Sequence, residues 1–123
     1  MLTAFASEFG LSDEMALKIA APFGAGMARL GKTCGAVTGG LMALGLKYGY
    51  TAPEDRDAAY GIAQEFMRRF EERHGSLACR ELIGFDITTP GSRALAQQSG
   101  VFESICPRLV RDAAEIVASL LEK

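Results

Sequence analysis

Tryptophan is absent from the chain, histidine occurs once, and the β-branched residues of buried parallel sheets are scarce: four Val and six Ile among 123 residues. With one histidine, a Ser-His-Asp hydrolase would have a single possible base, and no pattern near a serine supports one. There is no C-x-x-C pair, which excludes a zinc ribbon and a thioredoxin-type motif. The net charge is only −2, so no basic field recruits nucleic acid or anionic lipid. The longest uncharged apolar stretch, Cys34 to Leu46, is too short to span a bilayer. The opening "MLTAFASEFG" lacks a basic region, so no secretory leader is expected. A cytoplasmic, reducing location follows as the expectation. There, three cysteines serve as ligands or redox groups more readily than as a disulfide framework.

What is present argues for an ordered protein. Hydrophobic residues make up 49% and charged residues 23%, a balance that excludes disorder. A chain of this length buries about two-thirds of its unfolded surface and folds without staples. One helical domain over residues 1–123 is expected.

The stretch "GMARLGKT" (26–33) fits the phosphate-cradling pattern G-x-x-x-x-G-K-[ST] at every specified position. That loop works only between a buried strand and a helix. Here "SDEMALKIAAPFG" precedes it, and Ser12-Asp13-Glu14 reads as an N-cap with an acidic first turn. A short helix from Ser12 to Ala21, broken at Pro22, is expected instead of a strand. The motif lacks its context, and a nucleotide site is not expected.

The remaining pattern is helical. Leu2, Phe5, Ala6 and Phe9 share a helical spacing that ends at Gly10, with no capping residue ahead of it. Thr33 is placed to cap a helix from Cys34 to Tyr48, closed by Gly49. Pro53 opens a long helix with Glu54, Asp55 and Asp57 at its positive end. Its inner face is Ala59, Ile62, Ala63, Phe66, Phe70 and His74, and Gly75 stops it. Ser76 caps a short helix to Ile83, stopped by Gly84. Residues 85–105 read as one long connection, with a helical turn or two near Arg93–Gln98. Pro107 starts the last helix, with Leu109, Ala113, Ile116, Val117 and Leu120 inside. The expectation is an all-α, compact helical bundle of about five to six helices with one long loop.

Each cysteine falls at or near an expected helix start: Cys34 after Thr33, Cys79 three residues after Ser76, Cys106 before Pro107. Helix N-termini carry unpaired N–H groups and partial positive charge, which favour a thiolate. Lys32, Arg80 and Arg108 lie within two residues of the three cysteines. Separations of 45 and 27 residues mean that any shared site is assembled by tertiary folding. Gly35, Gly39 and Gly40 sit inside the Cys34 helix, where each costs about 1 kcal/mol relative to alanine. Close packing or room for a bulky cofactor would compensate. His74 suits a helix C-terminus as a cation, with an auxiliary ligand role as the alternative. Met27 and Met42 read as core fillers.

The segments "FGAGMARLGKTCGAVTGGLMALGLKYG" (23–49), "RFEERHGSLACRELIGFD" (69–86) and "CPRLVRDAAEIV" (106–117) together resemble the C_GCAxxG_C_C family of redox-active proteins. "CGAVTG" (34–39) matches its central motif, and Cys79 and Cys106 match its two later cysteines. The resemblance implies a small helical bacterial or archaeal protein that holds a prosthetic group, such as an iron–sulfur cluster or another metal, through four cysteines. Cys34, Cys79 and Cys106 would be its ligands and redox groups, and Gly35 and Gly39 would line the cofactor. This chain has three of the four. The family's first cysteine usually lies just upstream of the segment matching "MLTAF", and the uncapped first helix points to the same missing piece. A cluster normally takes four thiolates, so a chain without any cofactor is also considered.

Three readings follow. The first is electron transfer through a metal or iron–sulfur centre on the three cysteines. The second is thiol/disulfide redox chemistry by a pair drawn from them. The third is a non-catalytic helical module that packs or associates. A redox partner protein belongs to the first two, and a homo-oligomer is compatible with all three. Segment 85–105 would cover the site or fill space.

Overall fold

The helix that begins beside Cys34 is the one around which the others pack. In the computed structural model, which describes residues 1–122, that helix runs Gly35–Tyr48 and buries Ala36, Val37, Thr38, Gly39, Gly40, Ala43 and Leu44. A helix apolar on nearly all sides has to be surrounded. We label the elements α1 (Thr3–Ala6), α2 (Asp13–Ala20), α3 (Gly35–Tyr48), α4 (Arg56–His74), α5 (Cys79–Ile83), α6 (Pro90–Ser99), α7 (Val101–Ser104) and α8 (Cys106–Leu121). Short 3-10 turns join several of them. Helices α4 and α8 pack on α3 and on each other, and α1 covers its N-terminal half. Among the described residues there is no strand, only a single antiparallel bridge between Thr33 and Ala78. The all-α expectation holds.

Small residues on α3 let its neighbours approach. A Cβ at Gly40 would run into the Phe66 ring, and one at Gly39 would lie 2.7 Å from Met1 Cβ. Both glycines are therefore explained by packing, against side chains rather than against another helix backbone. The inner faces of α4 and α8 follow their sequence pattern, with Phe66, Phe70, Leu109, Ala113, Ile116, Val117 and Leu120 buried. Two α3 side chains also finish α8: Tyr48 Oη donates to Leu120 O at 2.6 Å and Lys47 Nζ donates to Leu121 O. Those carbonyls belong to the helix end that has no intrahelical partners.

Several boundaries differ from expectation. Pro53 opens a 3-10 turn, Pro53–Asp55, and the α-helix starts at Arg56. Thr33 is not the cap of α3; it lies in the bridge with Ala78, and Cys34 takes the cap position. Residues 85–105 are not one long loop. Thr89 and Ser92 form a reciprocal capping box, Pro90 takes the first helical turn, and Gly100 at φ 79° closes α6. Helix α7 then leads directly to α8. Helix α2 buries only Ala16, leaving Met15, Leu17 and Ile19 exposed.

The core divides into two clusters. The larger lies among α1, α3, α4 and α8 and contains Cys34. The smaller gathers Cys79, Ile83, Ile87, Ala96 and Val101 from α5 to α7, with Cys106 packed against it. Ile105 touches both.

Between α2 and α3 the chain makes an unusual turn. Ala25, Gly26, Met27, Ala28 and Arg29 have φ of 52°, 66°, 65°, 56° and 69°. Five successive residues in this region form one left-handed helical turn. Each of the four that carries a Cβ costs roughly 1–2 kcal/mol there, so the turn holds several kcal/mol of strain.

Candidate functional site: three thiols at one cavity

Cys34 and Cys79 are brought together by backbone pairing. Thr33 and Ala78 bridge. On either side, Cys34 N donates to Leu77 O at 2.8 Å and Cys79 N to Lys32 O at 2.6 Å. Arg80 N adds a bond to Gly31 O at 3.2 Å, and Ser76 Oγ accepts from Ala78 N at 3.0 Å. This clip joins the segment before α3 to the segment before α5, so the two cysteines leave it side by side. Cys106 comes from elsewhere. It is the first residue of α8, where the chain turns out of α7.

All three cysteines line one cavity of about 250 Å³. Gly35 and Ala36 of α3, Ile83 of α5, and Leu109 and Val110 of α8 complete the helical walls, and Met1, Ala25 and Gly26 close the rest. The wall is mostly apolar. Cys34 and Cys79 are each 8% exposed, and Cys106 is half-buried. The three cysteines that the sequence singled out therefore meet, and all are free thiols. The cavity lies at the seam of the two core clusters.

Gly39 stands apart. It faces Met1 and Leu2 and lines a separate small groove with Met42 and Phe23. His74 is also elsewhere. It stacks on Phe70 with ring centres 4.7 Å apart and sets Nε2 3.0 Å from Asp112 Oδ2 of α8. Arg73 lies 3.2 Å from Glu115 on the same helix pair. His74 thus sits at the contact of α4 with α8 and does not line the thiol cavity. The side chains that form the rest of the cavity, Ile83 and Val110 among them, carried no signal beyond ordinary apolar spacing.

The electrostatics reverse one expectation. Helix starts were expected to favour thiolates, yet all three thiol pKa values are raised. Burial is the main cause at Cys34, and the amides of Ala36 and Val37 oppose it only in part. Burial comes first at Cys79 as well, followed by the charges of Cys34 and Cys106, and together they push it up to about 11. At Cys106 burial leads, then Cys34 and Glu103. No lysine or arginine contributes at any of the three. Arg80 instead turns toward Asp86, 3.5 Å away. Desolvation outweighs the amide contribution because the cavity is apolar and α5 is only five residues long;. The ligand-free site therefore holds neutral thiols at neutral pH. Were they ionised, Cys79 would be opposed by Cys34 and Cys106, and Cys106 by Cys34.

Three soft sulfur donors suit zinc, copper(I) or iron–sulfur centres. Among the described residues, however, no group of three or more His, Cys, Asp or Glu side chains is spaced to hold a metal ion. The donor chemistry fits a thiolate-bound group, whereas the arrangement of the described side chains is not that of a formed metal site;.

The phosphate-loop pattern is accounted for as well. Lys32 N donates to Gly26 O at 2.9 Å, and Lys32 O accepts from Cys79 N. Gly26 is buried against Cys79, where a Cβ would come within 2.6 Å of Cys79 Cβ. This backbone is spent on building the thiol clip, and no strand precedes it. The motif does not form a nucleotide loop.

Fold and cavity together define a class: a small all-α protein with three convergent, buried thiols. The chain belongs to the family described as "Putative redox-active protein (C_GCAxxG_C_C)", whose profile matches residues 1–120. No curated protein and no solved structure matches it. Among the described residues no helix is long and apolar enough to cross a membrane.

Proposed function

We propose that the cavity is the redox centre of the protein and that Cys34, Cys79 and Cys106 are thiolate ligands of a multi-atom metal group such as an iron–sulfur cluster. The observation that carries this reading is the meeting of three sulfurs, from α3, α5 and α8, around one cavity. Two further facts support it. The cavity of about 250 Å³ has room for a group of several atoms beside the three thiols. The thiols also repel one another as thiolates, and a cationic group that displaces their protons would relieve that repulsion. When bound, such a group supplies one-electron chemistry. The protein supplies soft donors, an apolar wall that excludes water, and a backbone clip that fixes two of the three ligands. Gly35 leaves space beside Cys34. A redox partner protein would deliver or accept the electron.

A dithiol/disulfide cycle by a pair of these cysteines is the second reading. Burial works against it, because the attacking species is the thiolate and all three pKa values are raised.

The test is anaerobic reconstitution of the reduced chain with iron and sulfide, followed by metal and sulfide analysis and visible absorption. The expected result is a coloured, iron- and sulfide-containing protein whose absorption is lost in Cys34→Ser, Cys79→Ser and Cys106→Ser alike. A protein that stays colourless and metal-free, yet forms a reversible intramolecular disulfide, would overturn the cluster reading in favour of the dithiol one.

A further inference from the structure

We infer that the left-handed turn Ala25–Arg29 is the door of the thiol cavity, the segment that opens to admit whatever reaches Cys34 and Cys79. This deepens the redox reading by naming how its site is entered. It is read on metal-free thiols, so it stands or falls separately from metal binding.

The argument begins with the walls. Three sides of the cavity are helix: the start of α3, α5, and the first turns of α8. These walls carry hydrogen-bonded ladders and belong to the two core clusters. Ala25 and Gly26, with Met1 also outside the helical walls, form a side of a different kind. Every residue from Ala25 to Arg29 has positive φ, and only Gly26 of the five is a glycine. Backbone strain of this kind persists only where surrounding contacts enforce it, and it gathers at switch and access segments.

What enforces it is the packing of Gly26 on Cys79 and a small set of backbone bonds, Ala28 N to Gly24 O among them. Ala25, Ala28 and Arg29 are exposed, Met27 is half-buried, and Gly26 alone is buried. The turn is tied back by Arg29 N to Gly24 O at 3.4 Å, Leu30 N to Met27 O at 3.2 Å and Lys32 N to Gly26 O at 2.9 Å. Segments with few buried contacts and exposed hydrogen bonds open at the lowest free energy. From Gly31 onward the clip takes over, so an opening that stops at Leu30 leaves Cys34 and Cys79 in register. Gly26 packs directly over Cys79. Lifting the turn therefore uncovers that sulfur first while the helices stay in place.

Glycine is as comfortable at positive φ as at negative φ. Replacing Ala25, Ala28 and Arg29 by glycine relieves strain in the closed turn, and that gain exceeds the extra freedom glycine gives the open one. Each substitution is expected to favour closure by about two- to fivefold.

The experiment measures the alkylation rate of each cysteine in the reduced, full-length chain by mass spectrometry, at fixed pH and low urea concentrations. In the parent protein, Cys79 should react faster than global unfolding allows, and its rate should be nearly independent of urea. In Ala25→Gly/Ala28→Gly/Arg29→Gly it should slow by about tenfold or more. Gly26→Ala, which strains the turn further, should react faster than the parent. If the triple variant does not fold, Ala28→Gly and Arg29→Gly singly should each slow Cys79 by about two- to fivefold. A rate that is unchanged or faster in the glycine variants overturns the inference. So does a parent rate that rises with urea in step with global unfolding.

Discussion

Cys79 makes the stability of the protein sensitive to alkaline pH, and the size of the effect follows from its surroundings. Its thiol is pushed from 9.0 up to about 11 by burial first and by Cys34 and Cys106 second. The folded state therefore holds its proton to higher pH than the unfolded chain. Below pH 9 both states are protonated, and the contribution is fully present. Above it the unfolded state deprotonates first, and stability falls until the pH passes about 11. That rise in pKa corresponds to roughly 2–3 kcal/mol. Cys79 keeps 8% of its surface accessible, and the screening this allows brings the expected loss to about 2 kcal/mol;. Tyrosines and lysines titrate over the same interval, so the quantity to measure is a difference. Urea unfolding of the parent and of Cys79→Ala should be compared from pH 8 to pH 11. The gap between them should close by about 2 kcal/mol as pH rises, because only the parent carries the thiol. A second arm separates the causes. In Cys34→Ala, the alkylation pH profile of Cys79 should move down but stay above 9, since burial is the larger cause. A constant gap across the pH range, or a Cys79 profile centred below 9, would refute the claim that desolvation governs this site.

Other substitutions test the frame around the site. Gly40→Ala places a methyl group against the Phe66 ring and should cost about 1–3 kcal/mol by urea unfolding. Gly45→Ala should do the opposite. Its added Cβ meets nothing within 4 Å, so helix propensity alone should stabilise the protein by up to about 1 kcal/mol. Thr89→Ala removes the capping box of α6 and should cost about 1 kcal/mol, read as a lowered Tm. An unchanged Tm would argue that α6 does not fold with the rest.

The helical frame was legible because apolar periodicity and caps report it directly. The spacing of Phe66 and Phe70, and of Leu109, Ala113, Ile116 and Leu120, marks faces that are buried in the structure, with His74 half-buried at the end of the first. Helix α6 was harder to read because "TTPGSRALAQQSG" carries turn residues at its start and few apolar ones within. Its cap is made by Thr89 and Ser92 acting together, and a short polar helix gives little periodic signal. The three cysteines were legible as a set, but their protonation was not. A sequence shows that a thiol sits at a helix start. It does not show that the same thiol lies in an apolar cavity with Leu109 and Ile83, where burial outweighs two amides at Cys34. The positions of Gly39 and His74 outside the cavity were hidden for a related reason. Gly39 lies on α3, which reaches the site, but on another face of it, and His74 lies on α4, which does not line the cavity; both placements are settled by which neighbour packs where.

The location of the site at the seam of two core clusters has a mechanical consequence. Cys34 belongs to the cluster under α3, and Cys79 belongs to the cluster of α5 to α7. The backbone clip joins the two at Thr33 and Ala78, while Cys106 sits beside Ile105, which touches both. A group bound by all three thiols would cross-link the clusters at a second point. Loss of that group would leave the clip as the main tie on this side. Binding at the cavity should therefore stabilise α5–α7 more than α3, α4 and α8, which are already packed on one another. Hydrogen exchange before and after reconstitution would read this directly, as protection gained in residues 79–104 with little change in residues 56–74.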